Sequence, residues 1–249
     1  MARGCRLIVS LLNLHNHLEV YFMERSAIIA IDGPSGVGKS SVAKDLAKRL
    51  RGWQYLDTGA MYRAITLAWL QADKKDAFLH DIEWLGKIHL QIDGSRVLLN
   101  QHDVSNEIRE REVTRNASQV AASPEVRREL TRMQQEIGAN GSFIVDGRDI
   151  GTVVFPYAFL KVFLIASAQV RAKRRWLQLG GPDAGISVDE LVEDIQRRDT
   201  LDSNRATAPL KAAEDAWHLD TDPLDQAAVT QRILQEAVER WPLLSDLIV

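Results

Sequence analysis

The stretch AIIAIDGPSGVGKSSVAKDLAKRL, residues 27–50, constrains the fold more than any other part of the chain. Its first five residues, AIIAI, are apolar without interruption, the pattern of a strand covered on both faces. A glycine-rich turn follows, and VAKDLAKRL then places apolar residues at helical spacing. Strand, tight turn and helix in that order are the start of an alternating layout, which leads to a parallel sheet between helices.

The turn itself, GPSGVGKS, fits the pattern G-x-x-x-x-G-K-[ST] through Gly33, Gly38, Lys39 and Ser40. Glycines allow successive backbone N–H groups to point inward, and the start of the following helix adds positive potential. Lys39 can reach β- and γ-phosphates, and the Ser40 hydroxyl can ligate Mg²⁺. Because the pattern follows a buried strand and opens a helix, Gly33, Pro34, Ser35, Gly36, Val37, Gly38, Lys39, Ser40 and Ser41 form the expected binding loop for a nucleoside triphosphate. The loop alone does not say what the triphosphate is used for.

The alternation continues downstream. WQYLD is a second strand, and TGAMYRAITLAWLQ a helix with Thr58 as the predicted N-cap. KIHLQIDGSRVLLN then reads as two strands joined around Asp93-Gly94, a hairpin foreign to an alternating layout and therefore part of an insert. Residues 106–137 are charged and helical, with a break near Ser123-Pro124. FIVDG and LKVFLIA are strands, and Ala168–Leu179 a helix. Gly180 starts a loop to Ser187, where SVDE forms a capping box and launches a helix to about Asp199. WHLDT is a last strand, and Asp225 to Trp241 a closing helix. Five strands near 27–31, 53–57, 143–146, 160–166 and 217–220 are thus expected in one parallel sheet.

Composition narrows the function classes. A net charge of −3 and a pI near 6.1 give no overall basic surface for nucleic acid. Cys5 is the only cysteine, which excludes an internal disulfide and a cysteine-rich zinc site and fits a reducing, cytoplasmic setting. The apolar run near the N-terminus is interrupted by Asn13, His15, Asn16, His17 and Glu19, and is too short and polar to span a membrane. Residues 1–24 are expected to be an extension, residues 1–22 to be dispensable for activity, and residues 25–249 to form the functional domain.

Four charged segments then cluster at strand ends or beside one loop: LDTGAMYR at 56–63, VDGRDIG at 145–151, VRAKRRW at 170–176 and RRDTLDSNR at 197–205. Strand ends are where ligands approach an open α/β sheet, and buried charge is costly unless paired or used. Arg171 and Arg175 fall at i and i+4 on one helix face. A lone arginine would be read as a solvated surface charge. Repeated clusters in an acidic chain instead fit phosphoryl transfer, which needs the charge on the transferred oxygens neutralised.

These segments, with DVSNEIRE and NASQVAASPEVR, resemble those of bacterial cytidylate kinases, among the adenylate-kinase-like nucleoside monophosphate kinases, over residues 27–219. The resemblance implies an α/β P-loop NTPase fold: a five-stranded parallel sheet flanked by helices, a monophosphate-binding insert at about 60–140 with a small antiparallel sheet, and a short lid at about 176–190. It also implies roles. Asp57, Thr58, Tyr62 and Arg63 would form the acceptor-monophosphate wall; Ser118, Arg127 and Asp149 would read the pyrimidine. Asp202 would contact the sugar, and Arg148 would bridge phosphates. Arg198 and Arg205 would clamp phosphate, Arg205 also touching the acceptor; Arg175 would contact phosphate and Arg171 would stack on adenine.

The implied reaction moves the γ-phosphoryl group of ATP to CMP or dCMP in a monomer: Lys39, Mg²⁺ and the loop amides would hold the donor, and Arg148, Arg175, Arg198 and Arg205 would surround the transferred group. Two departures from the family pattern are Ser40-Ser41 after the loop lysine, in place of glycine then threonine, and Leu201, where some relatives carry arginine. The alternatives are a kinase of the same architecture for UMP, AMP or another small acceptor, and an ATP-binding regulatory module. Against a guanine-nucleotide switch, the chain lacks an N-K-x-D segment.

Overall fold

The computed structural model describes residues 27–73 and 75–249; the extension expected at 1–24 lies outside the described residues. Strand β1 (Ile28–Asp32) is buried along its whole length, and alternate side chains leave by opposite faces. Ile28 and Ala30 join one apolar core with Leu56, Met61, Val145 and Phe155. Ile29 and Ile31 join another with Val42, Leu46, Leu219 and Ile233. A strand feeding two cores belongs to a sheet covered on both faces, and complete burial of every residue is what an interior place in it requires.

β1 does occupy the middle. β2 (Trp53–Asp57), β6 (Ser142–Gly147), β7 (Leu160–Ile165) and β8 (Trp217–Asp220) complete a parallel sheet in the order β2-β6-β1-β7-β8. The register sets Asp32 beside Gly147 and Asp57 beside Asp146, so three acidic strand ends meet at one edge. Helix α1 (Lys39–Arg49) follows the glycine-rich turn, and α2 (Thr58–Gln71) follows β2 directly.

The insert contains α3 (Asp76–Leu79), α4 (Ile82–Gly86) and an antiparallel sheet of β3 (Leu90–Asp93), β4 (Arg96–Leu99) and β5 (His102–Asp103). The hairpin turns at Asp93-Gly94 as the sequence predicts, with Asp93 opposite Arg96; the two short helices and β5 carry too few residues to show a period. The insert has no core of its own, because Leu85, Leu90, Val97 and Leu99 pack in the cluster that holds Ile28 and Val145. Helices α5 (Arg111–Val120) and α6 (Pro124–Gly138) return the chain to β6. The break falls at Ser123, whose hydroxyl caps α6 by accepting from Val126 N at 3.2 Å and ties it to the insert by donating to Leu79 O at 2.6 Å.

After β7 come α7 (Ala168–Gln178), a 3₁₀ turn at Gly181–Ala184, and α8 (Val188–Asn204). The capping box at Ser187 and Glu190 forms as predicted. Two local readings are corrected. Asp57, not Thr58, caps α2 by accepting from Ala60 N at 2.8 Å; the helix starts one residue early because β2 ends at Asp57 itself. Helix α8 runs to Asn204 rather than Asp199, since its last turn carries Asp202, whose buried carboxylate is held by tertiary partners that override the weak helix preference of DSN. Helix α9 (Gln226–Arg240), capped by Asp225, closes the chain against α1. Among the described residues, no helix is long and apolar enough to cross a membrane.

Candidate active site

The glycine-rich turn hangs from the end of β1 over the start of α1. Gly33 has φ 148, and a Cβ there would lie 2.5 Å from the Leu164 carbonyl oxygen, so only glycine lets the loop pass this close to β7. Lys39 folds under the loop, donating to the carbonyls of Gly33 at 2.8 Å and Pro34 at 2.7 Å. The Ser40 hydroxyl donates to Asp146 Oδ2 at 2.8 Å, and Tyr55 donates to Asp146 Oδ1 at 2.9 Å. Thr58 turns its hydroxyl to the Asp146 carbonyl, 2.7 Å away. One strand-end carboxylate thus links the phosphate loop to β2 and, through the main chain, to α2.

A second polar group lies between the insert and α8. Asp57 Oδ2 accepts from Arg63 at 3.2 Å, which steadies Arg63 at the start of α2. Arg127, 3% exposed, forms a close ion pair with Asp149, itself 4% exposed, and lies over the Tyr62 ring at 5.3 Å. Arg205 reaches the other Asp149 oxygen at 3.4 Å. Ser118 donates to Asp202 Oδ1 at 3.1 Å, and Arg148 donates to Asp202 Oδ2 at 2.9 Å. Charges this deep persist because each is paired and hydrogen-bonded.

Between these two groups the cations repel one another. Burial, and then Arg148, holds the Lys39 ammonium well below the usual lysine range. Burial and Arg148 likewise lower Arg198 to about 10, while burial and Arg63 lower Arg175. Neither the Arg175 nor the Arg198 guanidinium has a hydrogen-bonding partner among the described residues, and the Arg198 Nε is buried without one. Cations crowded together and left short of partners form a site whose cost is relieved by a polyanion. In the opposite sense, burial followed by the nearby Asp57 raises Asp146 to about 6.

These residues line a single cavity of about 930 Å³. It brings together Ser35 to Ser41 of the loop, Asp57, Thr58, Tyr62 and Arg63 from β2 and α2, and Ser118 and Arg127 from the insert helices. Arg148 and Asp149 reach it from the end of β6, Arg175 from α7, Arg198 and Asp202 from α8, and Arg205 from the extended residue that follows α8. Gly33 and Pro34 lie behind it and contribute the carbonyls that hold Lys39.

Arg171 is not brought to the cavity. It is 6% exposed, and its guanidinium donates to Ala166 O at 3.0 Å, Ser35 O at 3.0 Å and Asp199 Oδ2 at 2.6 Å. With Nε and Nη1 bonded behind the loop and the residue buried, it braces the loop in this structure. The reason is its place on the first turn of α7, beside the end of β7; one turn later Arg175 reaches the cavity, while Arg174 borders it with a guanidinium bonded to Thr221 Oγ1 at 2.9 Å and to the carbonyls of Thr221 and Leu224.

Sequence reading also missed Asp146 as a site residue and missed Arg174. The signal for Asp146 was its place at the end of an apolar strand, FIVD, parallel to the loop strand. Arg174 stood in the KRR run of α7 but carries no mark separating it from Arg171.

A polyphosphate loop and a smaller, base-sized polar group facing each other across one cavity define a P-loop phosphotransferase with two anionic substrates. Comparison with known proteins narrows the class. The sequence profile of the family described as Cytidylate kinase matches residues 29–239. A cytidylate kinase of Fervidobacterium nodosum is 46% identical over 214 residues, covering 85% of this chain and 96% of that protein. One of Bacillus subtilis is 43% identical over 226 residues, covering 88% and 99%. The chain belongs to the cytidylate kinase family. Among solved structures, TT1252 from Thermus thermophilus superposes with a TM-score of 0.45 at 18% identity, over 87% of this chain and 98% of that one.

Proposed function

We propose that this protein transfers the γ-phosphoryl group of ATP to CMP or dCMP, giving ADP and the corresponding diphosphate. The observation that carries this reading is the buried Arg127–Asp149 pair, with Ser118 nearby on the Asp202 carboxylate, across one cavity from the phosphate loop. Cytosine offers an exocyclic amine beside two acceptors. Asp149 has lone pairs left to accept from that amine, and Arg127 has donors for the ring. Uracil would turn an oxygen toward the carboxylate and bind less well.

The acceptor phosphate is anionic at neutral pH, so no general base is needed. One of its oxygens forms the new bond to the γ-phosphorus, and the bond from that phosphorus to the β,γ-bridging oxygen breaks with its electron pair leaving on ADP. Arg63, held by Asp57, and Arg148, held by Asp202, orient the acceptor. Lys39 and the loop amides hold the donor, and Arg148, Arg175, Arg198 and Arg205 neutralise the transferred oxygens. The turn at 181–184 and the start of α8 close over the reacting groups and exclude water.

Ser40 and Asp146, one hydroxyl and one carboxylate 2.8 Å apart beside the loop, suit a hard cation held mainly by substrate phosphates. Mg²⁺, when bound with ATP, would spread and offset the negative charge of the phosphates. Coupled-assay rates with ATP and CMP, dCMP, UMP or AMP test the reading. CMP and dCMP should be far the best acceptors. AMP or UMP turnover equal to that of CMP refutes it, and an ATPase indifferent to every monophosphate favours a regulatory module.

A further inference from the structure

Asp32 takes no part in the chemistry above, yet it is a carboxylate only 5% exposed at the last position of β1. Its two oxygens are committed. Oδ1 accepts from Ile150 N at 2.9 Å, and Oδ2 accepts from Gly151 N at 2.8 Å. These are the first two N–H groups of the turn Ile150–Val154, whose capping residue is Asp149. The other end of the turn closes on Asp149 as well, since its carbonyl accepts from Val153 N at 2.9 Å and Val154 N at 3.2 Å.

The backbone of Asp149 is thus gripped on one side by the turn it caps and, one peptide further on, by Asp32. Register brings the two segments together: Asp32 lies beside Gly147, two residues before Asp149. Packing is tight there, for a Cβ at Gly147 would lie 2.6 Å from Ile150 Cδ1 and 2.8 Å from the Thr58 hydroxyl. A shift of the turn would carry the Asp149 backbone it is bonded to, and with it the direction of the carboxylate.

We propose that Asp32 is a positioning residue for base selection: by holding the 150–151 amides it aims Asp149, so the strand that carries the phosphate loop also sets which base the acceptor site takes. A carboxylate suits this place because both facing groups are donors and it is acceptor-only. Asparagine, of the same shape, would turn an NH₂ toward one of the amides and release that end of the turn. Thr58 and Arg127 hold other parts of the acceptor wall, so the effect should fall on base reading rather than on monophosphate capture as a whole.

This inference rests on the reading of the protein as a CMP kinase, and the test keeps the two apart. Asp32→Asn is compared with the wild type by kcat/KM for CMP and for UMP, by KM for ATP, and by thermal melting. The expected result is a fall of about fivefold or more in the CMP-to-UMP ratio, with KM for ATP changed less than about twofold. A merely structural cap would lower the melting temperature and leave that ratio untouched, which overturns the proposal. An equal rise in KM for ATP and CMP overturns it too, because Asp32 would then act on the phosphate loop that starts at the next residue. Should Asp32→Asn not melt cooperatively, Asp32→Ser, with room for a water bridging the two amides, is read by the same measurements. A wild type with no preference for CMP over UMP defeats the kinase reading, and the proposal with it.

Discussion

Replacing Asp149 by asparagine separates base reading from simple stability. The carboxylate is buried between Arg127 and Arg205, and Arg127 is itself only 3% exposed. Deleting one partner of such a buried pair outright costs about 3–5 kcal/mol, because the remaining charge is left uncompensated. Asparagine keeps the shape and one acceptor oxygen, so the loss should be nearer 1–3 kcal/mol. For a domain of this size each kcal/mol moves the melting temperature by about 2–4 °C, so Asp149→Asn should melt roughly 3–10 °C lower and still fold.

Function should fall further. A hydrogen bond from the cytosine amine to a carboxylate is worth about 1.5–3 kcal/mol more than its absence, or roughly ten- to hundredfold in kcat/KM. UMP should lose much less, because the new amide can donate to the uracil oxygen that the carboxylate repelled. The assay is coupled ADP release with each monophosphate at saturating ATP, on protein shown by circular dichroism to be folded. Equal losses for CMP and UMP would mean that Asp149 supports the wall without reading the base.

Three further outcomes are expected. Lys39→Ala should lower turnover by at least about 10²-fold, since one donor to developing phosphate charge is worth that much, and should leave the fold intact by circular dichroism; near-normal rates would remove Lys39 from the site. Ser123→Ala loses the cap of α6 and the hydrogen bond to Leu79 O, so it should cost about 1–2 kcal/mol with unaltered KM for ATP, a split that a melt and a steady-state assay report together. Burial raises Asp32 to about 6 from 3.8, so the ligand-free folded state takes up a proton between those values that the unfolded chain does not. The cost of burying this charge, roughly 3 kcal/mol, is nearly full at pH 7 and is relieved as pH falls from about 6 to 3.8; about 1.3 kcal/mol of it returns between pH 7 and pH 5, so wild type should gain on Asp32→Asn in melting temperature over that interval, and a flat difference refutes the shift.

What the sequence determined by itself was everything written in short-range pattern. AIIAI announced a strand buried on both faces, GPSGVGKS the phosphate loop, Asp93-Gly94 the hairpin, and Ser187 with Glu190 the capping box, because each depends on residues within a few positions of one another. The charged segments and their family resemblance also named most of the side chains now found on one cavity. Only the tertiary structure decided which of them touch. The pairing of Arg127 with Asp149, of Ser118 and Arg148 with Asp202, and of Asp32 with the 150–151 amides joins positions 22 to 119 residues apart. Such contacts follow from strand order and register, which bring the ends of β1, β2 and β6 to one edge. The same geometry sent Arg171 behind the loop while Arg175, one turn further along the same helix, faces the cavity. Helical spacing could place both on one face of α7, but how far each lies from the end of β7 is set by packing, and that distance separates a brace from a side chain that lines the cavity.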